Sequence, residues 1–258
     1  MEHAKLRAKI VELAHQSREG HLGSSLSAID LINCVYTKFD IGSKIDDPLF
    51  VLSKGHASLA LYAVLHQHDF ISDLELHNFC QAGSRLGGHP DALKVPTVTA
   101  STGSLGHGFP FAAGMAFAKK LADKANPVIC LVGDGECNEG TTWEASLLSV
   151  THRLDNLVLI VDVNRSGERA IPVDSIMNQF FCSLGFNVQC IDGHCTEDIY
   201  GALDRAVGSN GIGRPTAILA RTIKGRGVPF MENNPEWHHK WPDEMSLQKA
   251  LQELGDSN

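Results

Sequence analysis

The chain of 258 residues predicts an α/β fold: a doubly wound, mostly parallel sheet flanked by helices. Three observations carry that expectation. Strand-like apolar runs alternate with helix-like stretches along the chain, the pattern of parallel strands joined by crossover helices. One crossover is explicit: Val128 to Val132 is apolar and breaks at Gly133-Asp134-Gly135, a helical stretch follows, and a second apolar run, Leu157 to Val161, ends at Asp162-Val163-Asn164. Its length of about 30 residues is that of one β-α-β unit. Finally, 43% apolar and 20% charged residues match a soluble globular protein, and a chain of this size buries a full core.

In chain order, Leu6, Ile10, Leu13 and Ala14 recur at helical spacing, so a first helix is expected to stop near Gly20. Arg18 to Ser25 reads as a loop, and Leu26 to Phe39 resumes the helical period. Leu49 to Leu52 is a short strand running into Ser53-Lys54-Gly55-His56, and the apolar stretch Ala57 to His66 is a buried helix. Ser72-Asp73-Leu74-Glu75 fits a capping box that opens a short helix. Two glycine-rich loops follow, Arg85 to Pro90 and Ala100 to Gly108, before a helix from Phe111 to Lys120. Beyond the central crossover, Asp174 to Leu184 and Thr196 to Val207 are helical, Phe186 to Ile191 and Ala217 to Ala220 are strands, and Ser246 to Leu254 is a last helix closed by Gly255. Lys224 to Pro242 is the longest irregular stretch, and such loops are often functional. No linker or repeat divides the sequence, so residues 1–258 are expected to form a single domain.

Charge and composition narrow the function. A net charge of −8 argues against nucleic acid or an anionic membrane surface as partner. Seven cysteines without CxxC spacing read as reduced thiols, and neither a signal peptide nor a spanning segment is present, so a cytoplasmic location is expected.

The crossover also points to chemistry. Right-handed parallel connection brings Asp134 and Asn164 out at the same carboxyl-end edge of the sheet, where open α/β sheets bind ligands. Gly-Asp-Gly alone is a common strand-ending turn. The asparagine one crossover later adds a second hard oxygen donor, and the pair suits Mg²⁺ held jointly by protein and a diphosphate. Lys54 with His56, and Lys224 with His238, bring positive charge and hydrogen-bond donors toward such a group. In addition, Gly-His occurs five times, at His21, His56, His89, His107 and His194, where pairing 24 glycines with 13 histidines at random gives about one. Several imidazoles are thus expected to converge on one cleft, where they donate to or accept protons from substrate hydroxyls.

GHLGSS, FVLSKGHASLALYAVL, GGHPD, STGSLGHG, VGDGECNEG and TIKGRGVPFMENNPEWHHK stand in order between Gly20 and Lys240. Together they resemble the first, diphosphate-binding portion of the transketolase family, that is, the diphosphate half of the thiamine diphosphate-binding fold. The resemblance implies thiamine diphosphate and Mg²⁺ as cofactors, Ca²⁺ or Mn²⁺ being possible substitutes. Asp134, the Asn164 side chain and the Ser166 carbonyl would be metal ligands. Ser24, Lys54, His56, Gly135, Lys224 and His238 would lie along the cofactor, with Gly103, Ser104 and Leu105 offering backbone contacts to its aminopyrimidine side. His21, His89 and His238 would handle the hydroxyls and protons of a ketose, and Glu139 would sit at a subunit contact.

The sequence departs from the family at His107, commonly glutamine, and at Ser166, commonly aliphatic. The family's pyrimidine-binding domain has no counterpart after Lys240. The expectation is therefore an N-terminal subunit that transfers a two-carbon ketol unit from a ketose, phosphorylated or sulfonated, to an aldose. It would act only with a separate C-terminal subunit, as a heterotetramer. The alternatives are the alpha subunit of a thiamine-dependent 2-oxo-acid dehydrogenase and a non-catalytic partner-binding paralogue.

Overall fold

The computed structural model describes residues 2–165, 173–208 and 211–256. Five strands, β1 (Leu49–Leu52), β2 (Val128–Gly133), β3 (Leu157–Val163), β4 (Asn187–Asp192) and β5 (Thr216–Arg221), form one sheet in the order β1-β2-β3-β5-β4. Every neighbouring pair is parallel. The helices are α1 (Glu2–Ser17), α2 (Leu22–Lys38), α3 (Ser58–Gln67), α4 (Asp73–His77), α5 (Gly108–Leu121), α6 (Gly140–Thr151), α7 (Val173–Leu184), α8 (Thr196–Gly208) and α9 (Glu244–Asp256).

Alternation along the strands builds two cores. Phe50, Leu52, Ile129, Leu131, Val158 and Ile160 pack against the layer of α1, α2, α3, α8 and α9. Their neighbours Leu49, Val51, Val128, Cys130, Leu157 and Leu159 pack against α5, α6 and α7. Because both faces are covered, the three central strands read as unbroken apolar runs rather than as polar-apolar alternation. The expected doubly wound sheet is what forms, and the expected capping box is present: Ser72 Oγ accepts from the Glu75 amide at 3.3 Å while the Glu75 carboxylate accepts from the Ser72 amide at 2.9 Å.

Three helices extend at least two residues beyond a bound expected from the sequence. Residues 22–25, expected in a loop, are the first turn of α2. His21 adopts φ 64° and its carbonyl accepts the amides of Ser24 and Ser25, and Leu22 is fully buried. Tertiary packing here overrides a Gly/Ser-rich composition. Similarly, α5 begins at Gly108, three residues before Phe111. The last helix begins at Glu244, because Asp243 Oδ1 caps the Ser246 amide at 2.8 Å, and it runs through Gly255 instead of ending there, with Leu254 buried.

Candidate active site

β2 and β3 lie in register with Gly133 opposite Asp162, so the residues just past each strand end, Asp134 and Asn164, reach the same edge. There they open into a cleft of about 300 Å³ lined by His21, Ser24, Lys54, His56, His89, Gly103, Leu105, Gly133, Asp134, Gly135, Glu136, Asn164, Lys224 and His238. Of the metal, cofactor and catalytic residues expected at the site, all but two line this space. Ser104 is exposed and outside the lining: Gly103 turns the backbone with φ +154° beside His89 and the next side chain faces solvent, so what Ser104 can offer the site is its backbone. Ser166 lies outside the described residues.

Each wall has an identifiable support. Ser58 Oγ donates to the Gly88 carbonyl at 2.8 Å and Tyr62 Oη to the His89 carbonyl at 3.3 Å, so α3 carries the loop of His89. Thr102 Oγ1 donates to the Leu52 carbonyl at 2.6 Å, tying the second glycine-rich loop to the end of β1. The long loop after β5 is pinned to α2 where the Gly225 amide donates to the Gly23 carbonyl at 3.0 Å, and by the buried Trp237. On that loop the Lys224 ammonium donates to His238 Nδ1 at 2.7 Å. His238 is therefore a neutral imidazole with its proton on Nε2.

The centre of the network is Asp162, to which the sequence reading gave no role. Its fully buried carboxylate accepts from the Lys54 ammonium, the Thr222 hydroxyl, the Ser27 hydroxyl at 2.7 Å and Asn164 Nδ2 at 3.2 Å. Burial opposes its charge, but Lys54 and these donors prevail and hold the carboxyl below its usual range. Asn164 Nδ2 also donates to Ser27 Oγ at 3.2 Å. Only the NH₂ side of an amide makes both bonds, which turns the amide oxygen away from Asp162, and Asn164 is among the residues that line the cleft.

Asp134 is in a different state. Its carboxylate is 2% exposed and accepts from the Gly135 amide at 2.6 Å. Burial first, then the charge of Asp162, raise its pKa, with Lys54 offsetting part. Because the Lys54 ammonium is bonded to Asp162, Asp134 presents a buried negative charge that an added cation would neutralise. One carboxylate and one oriented amide oxygen are the hard donors that fit Mg²⁺. Glu136, also unassigned from sequence, is buried and accepts from the Ser53 hydroxyl, the Gly106 amide at 2.8 Å and the Gly133 amide at 3.4 Å. It ties the loop of Gly103 to the end of β2.

Three of the five Gly-His imidazoles, His21, His56 and His89, reach the cleft, joined by His238. His107 is exposed, with Nδ1 3.1 Å from the Leu105 carbonyl. His194 lies elsewhere: its Nδ1 is 2.6 Å from Asp30 Oδ2, and its Nε2 accepts the Ile223 amide at 2.8 Å, next to Lys224 in sequence. The buried Asp30 also binds Arg7 and His3, so this histidine braces the loop that carries Lys224.

Burial, then the charge of His239 and its neighbours, lowers the pKa of His21 to about 4. Burial, then Lys54, lowers that of His56 to about 2. Both rings are thus neutral at physiological pH. Between the ordinary histidine value of about 6.5 and these lowered values, the unfolded chain binds protons that the folded chain refuses. Stability is therefore complete above pH 6.5 and falls as the pH drops. Thermal melts across this range should show that slope, and His56→Gln should flatten it; parallel profiles for the two proteins would contradict the assignment.

The family described as "Transketolase, thiamine diphosphate binding domain" matches residues 3–256. The chain belongs to the transketolase family. It is 34% identical to a protein of Actinobacillus succinogenes named as one subunit of apulose-4-phosphate transketolase, over 97% of this chain and 94% of that protein. It is 37% identical to human transketolase over 97% of this chain, but over only 41% of the human protein. The crystal structure of transketolase from Campylobacter jejuni superposes with a TM-score of 0.87 at 30% identity, over 98% of this chain and 42% of that one. This chain thus spans nearly all of a protein named as one subunit, and about two fifths of the relatives named simply transketolase. Among its described residues no helix is long and apolar enough to cross a membrane.

Proposed function

We propose that this chain is the diphosphate-binding subunit of a two-chain transketolase, acting as one unit that binds thiamine diphosphate with Mg²⁺ and transfers a two-carbon ketol group from a ketose to an aldose. The observation that carries the reading is the pairing of Asp134 with the oriented amide of Asn164 in one cleft with His21, His89 and His238. The Asp134 and Asn164 oxygens would hold the ion, with the Ser166 carbonyl as the third ligand that the family resemblance implies. Gly135, His56, Lys54 and the Lys224–His238 pair would face the diphosphate, and the backbone of Gly103, Ser104 and Leu105 the aminopyrimidine side. When bound, thiamine diphosphate supplies the carbanion chemistry of the transfer. The protein orients the sugar: His238 offers Nε2–H to a hydroxyl, while His21 and His89 accept or return hydroxyl protons.

A separate chain carrying the pyrimidine-binding domain completes the enzyme, in a heterotetramer in the cytoplasm. Supporting a partner is the apolar surface of α5, α6 and α7, where Phe111, Leu121, Leu147, Leu148 and Ile176 are all about half exposed or more. Supporting the compartment, all seven cysteines are free. A phosphorylated ketose is favoured over a sulfonated one, because a relative matched along nearly its whole length is named for a sugar phosphate.

The isolated chain, given thiamine diphosphate and Mg²⁺, is expected to transfer no ketol group, and to gain activity when the partner is added. Ketol transfer by the isolated polypeptide would overturn the two-chain reading. Carbon dioxide release from a 2-oxo acid by the complex would overturn the transketolase chemistry.

A further inference from the structure

We propose that Glu19, His21 and His239 form a second cation site at the mouth of the cleft, one that takes a Zn²⁺-class transition ion rather than Mg²⁺. One ligand atom from each of the three side chains lies within 4.8 Å of the others. Two imidazole nitrogens and one carboxylate oxygen are the donors of zinc sites with three protein ligands and an open fourth position. Such a set sorts ions by chemistry: imidazole suits Zn²⁺, Cu²⁺ and Ni²⁺, whereas the oxygens of Asp134 and Asn164 suit Mg²⁺.

The local backbone supports the cluster. A Cβ at Gly20 would stand 2.8 Å from the His239 ring, so the absence of a side chain there is what lets the loop after β5 press His239 onto the turn between α1 and α2. The His21 and His239 rings meet edge-on with centroids 4.5 Å apart. His21 is the first residue before α2, in a left-handed conformation braced by the amides of Ser24 and Ser25, and so has a fixed root. Bonds of about 2.0–2.2 Å in tetrahedral geometry place ligand atoms roughly 3.4 Å apart. The remaining contraction falls to Glu19, which is half-buried, and His239, which is exposed.

An ion seated there holds a ring nitrogen of His21. Metal then occupies the ring's one lone pair and leaves the other nitrogen as N–H, so His21 can no longer accept a proton from a sugar hydroxyl while the site is filled, which makes the enzyme sensitive to zinc. This consequence rests on the proposed function; the site itself does not, and its test needs no turnover.

Co²⁺ serves as the spectroscopic probe, titrated into the full chain under excess Mg²⁺. A visible ligand-field band saturating at one ion per chain is expected, displaced by Zn²⁺ but unaffected by further Mg²⁺. His239→Ala and Glu19→Ala should each weaken it by at least the roughly 10–100-fold that losing even an outer-shell partner costs metal affinity. Melting temperatures, with His239→Gln as a milder variant, separate a lost ligand from a lost fold. Absence of the band, a sulfur-to-metal band showing that the exposed Cys182 or Cys190 holds the ion, or unchanged Co²⁺ affinity in both alanine variants would each overturn the proposal.

Discussion

Asp162→Ala is expected to destabilise the chain by about 3–5 kcal/mol, the usual cost of breaking a buried ion pair by deleting one partner. Lys54 and Asp162 are 1% and 0% exposed at their side chains. Without the carboxylate, a buried ammonium is left without its counter-charge, the Thr222 hydroxyl loses the acceptor it has in Asp162, and the Ser27 hydroxyl is left with the Ser24 carbonyl at 3.0 Å. At about 2–4 °C per kcal/mol for a domain of this size, the melting temperature should fall by roughly 6–20 °C. The double variant Lys54→Met, Asp162→Leu should recover much of that loss, since apolar replacement of a whole buried pair is often neutral or better. Neither protein should bind thiamine diphosphate with Mg²⁺ normally, because Asn164 no longer has the acceptor that orients its amide. A melting temperature for Asp162→Ala within a few degrees of the parent would show that the pair is not the support described here.

That experiment bears on what the sequence could and could not disclose. The sheet, its crossover and the meeting of Asp134 with Asn164 were legible because they depend on local signals: apolar runs, a Gly-Asp-Gly break and a connection of one hand. The convergence of His21, His56 and His89 was legible in part, because glycine before histidine marks a loop but not the direction of the ring. His107 and His194 carry the same signal and point elsewhere, one to solvent and one to Asp30, 164 residues away. Asp162 was in plain view within the strand-end motif, yet its partner Lys54 is 108 residues distant and Ser27 135 residues distant. Lys54 lines the cleft as anticipated, but much of its charge is met inside the protein. The start of α2 escaped notice because four small or apolar residues resemble a loop until the burial of Leu22 is known. A charged or amide residue in the last turn of an apolar strand is the signal that finds Asp162.

Asp134→Asn separates function from stability. In the assembled enzyme it is expected to weaken Mg²⁺-dependent cofactor binding by about 100-fold or more, the upper range for losing even an outer-shell partner, and to reduce ketol transfer accordingly. In the chain without ion or cofactor the sign reverses. Burial and the neighbouring charge of Asp162 raise the pKa of Asp134 above its ordinary value. A carboxyl with a raised folded-state pKa destabilises the fold once ionised: the penalty is absent below the unfolded value near 3.9 and grows as the pH climbs through the folded one. Asparagine keeps an oxygen to accept the Gly135 amide at 2.6 Å in place of the carboxylate and carries no charge, so at neutral pH the empty variant should be more stable by about 1 kcal/mol, an ordinary size for one substitution. The gain should vanish in acid, where both proteins are neutral at this position. Melting curves at neutral and acidic pH, each with and without Mg²⁺ and thiamine diphosphate, read all of these effects in one series. If Asp134→Asn lowers the melting temperature of the empty chain at neutral pH, the carboxylate is not the uncompensated charge that a cation would neutralise, and the metal assignment fails with it.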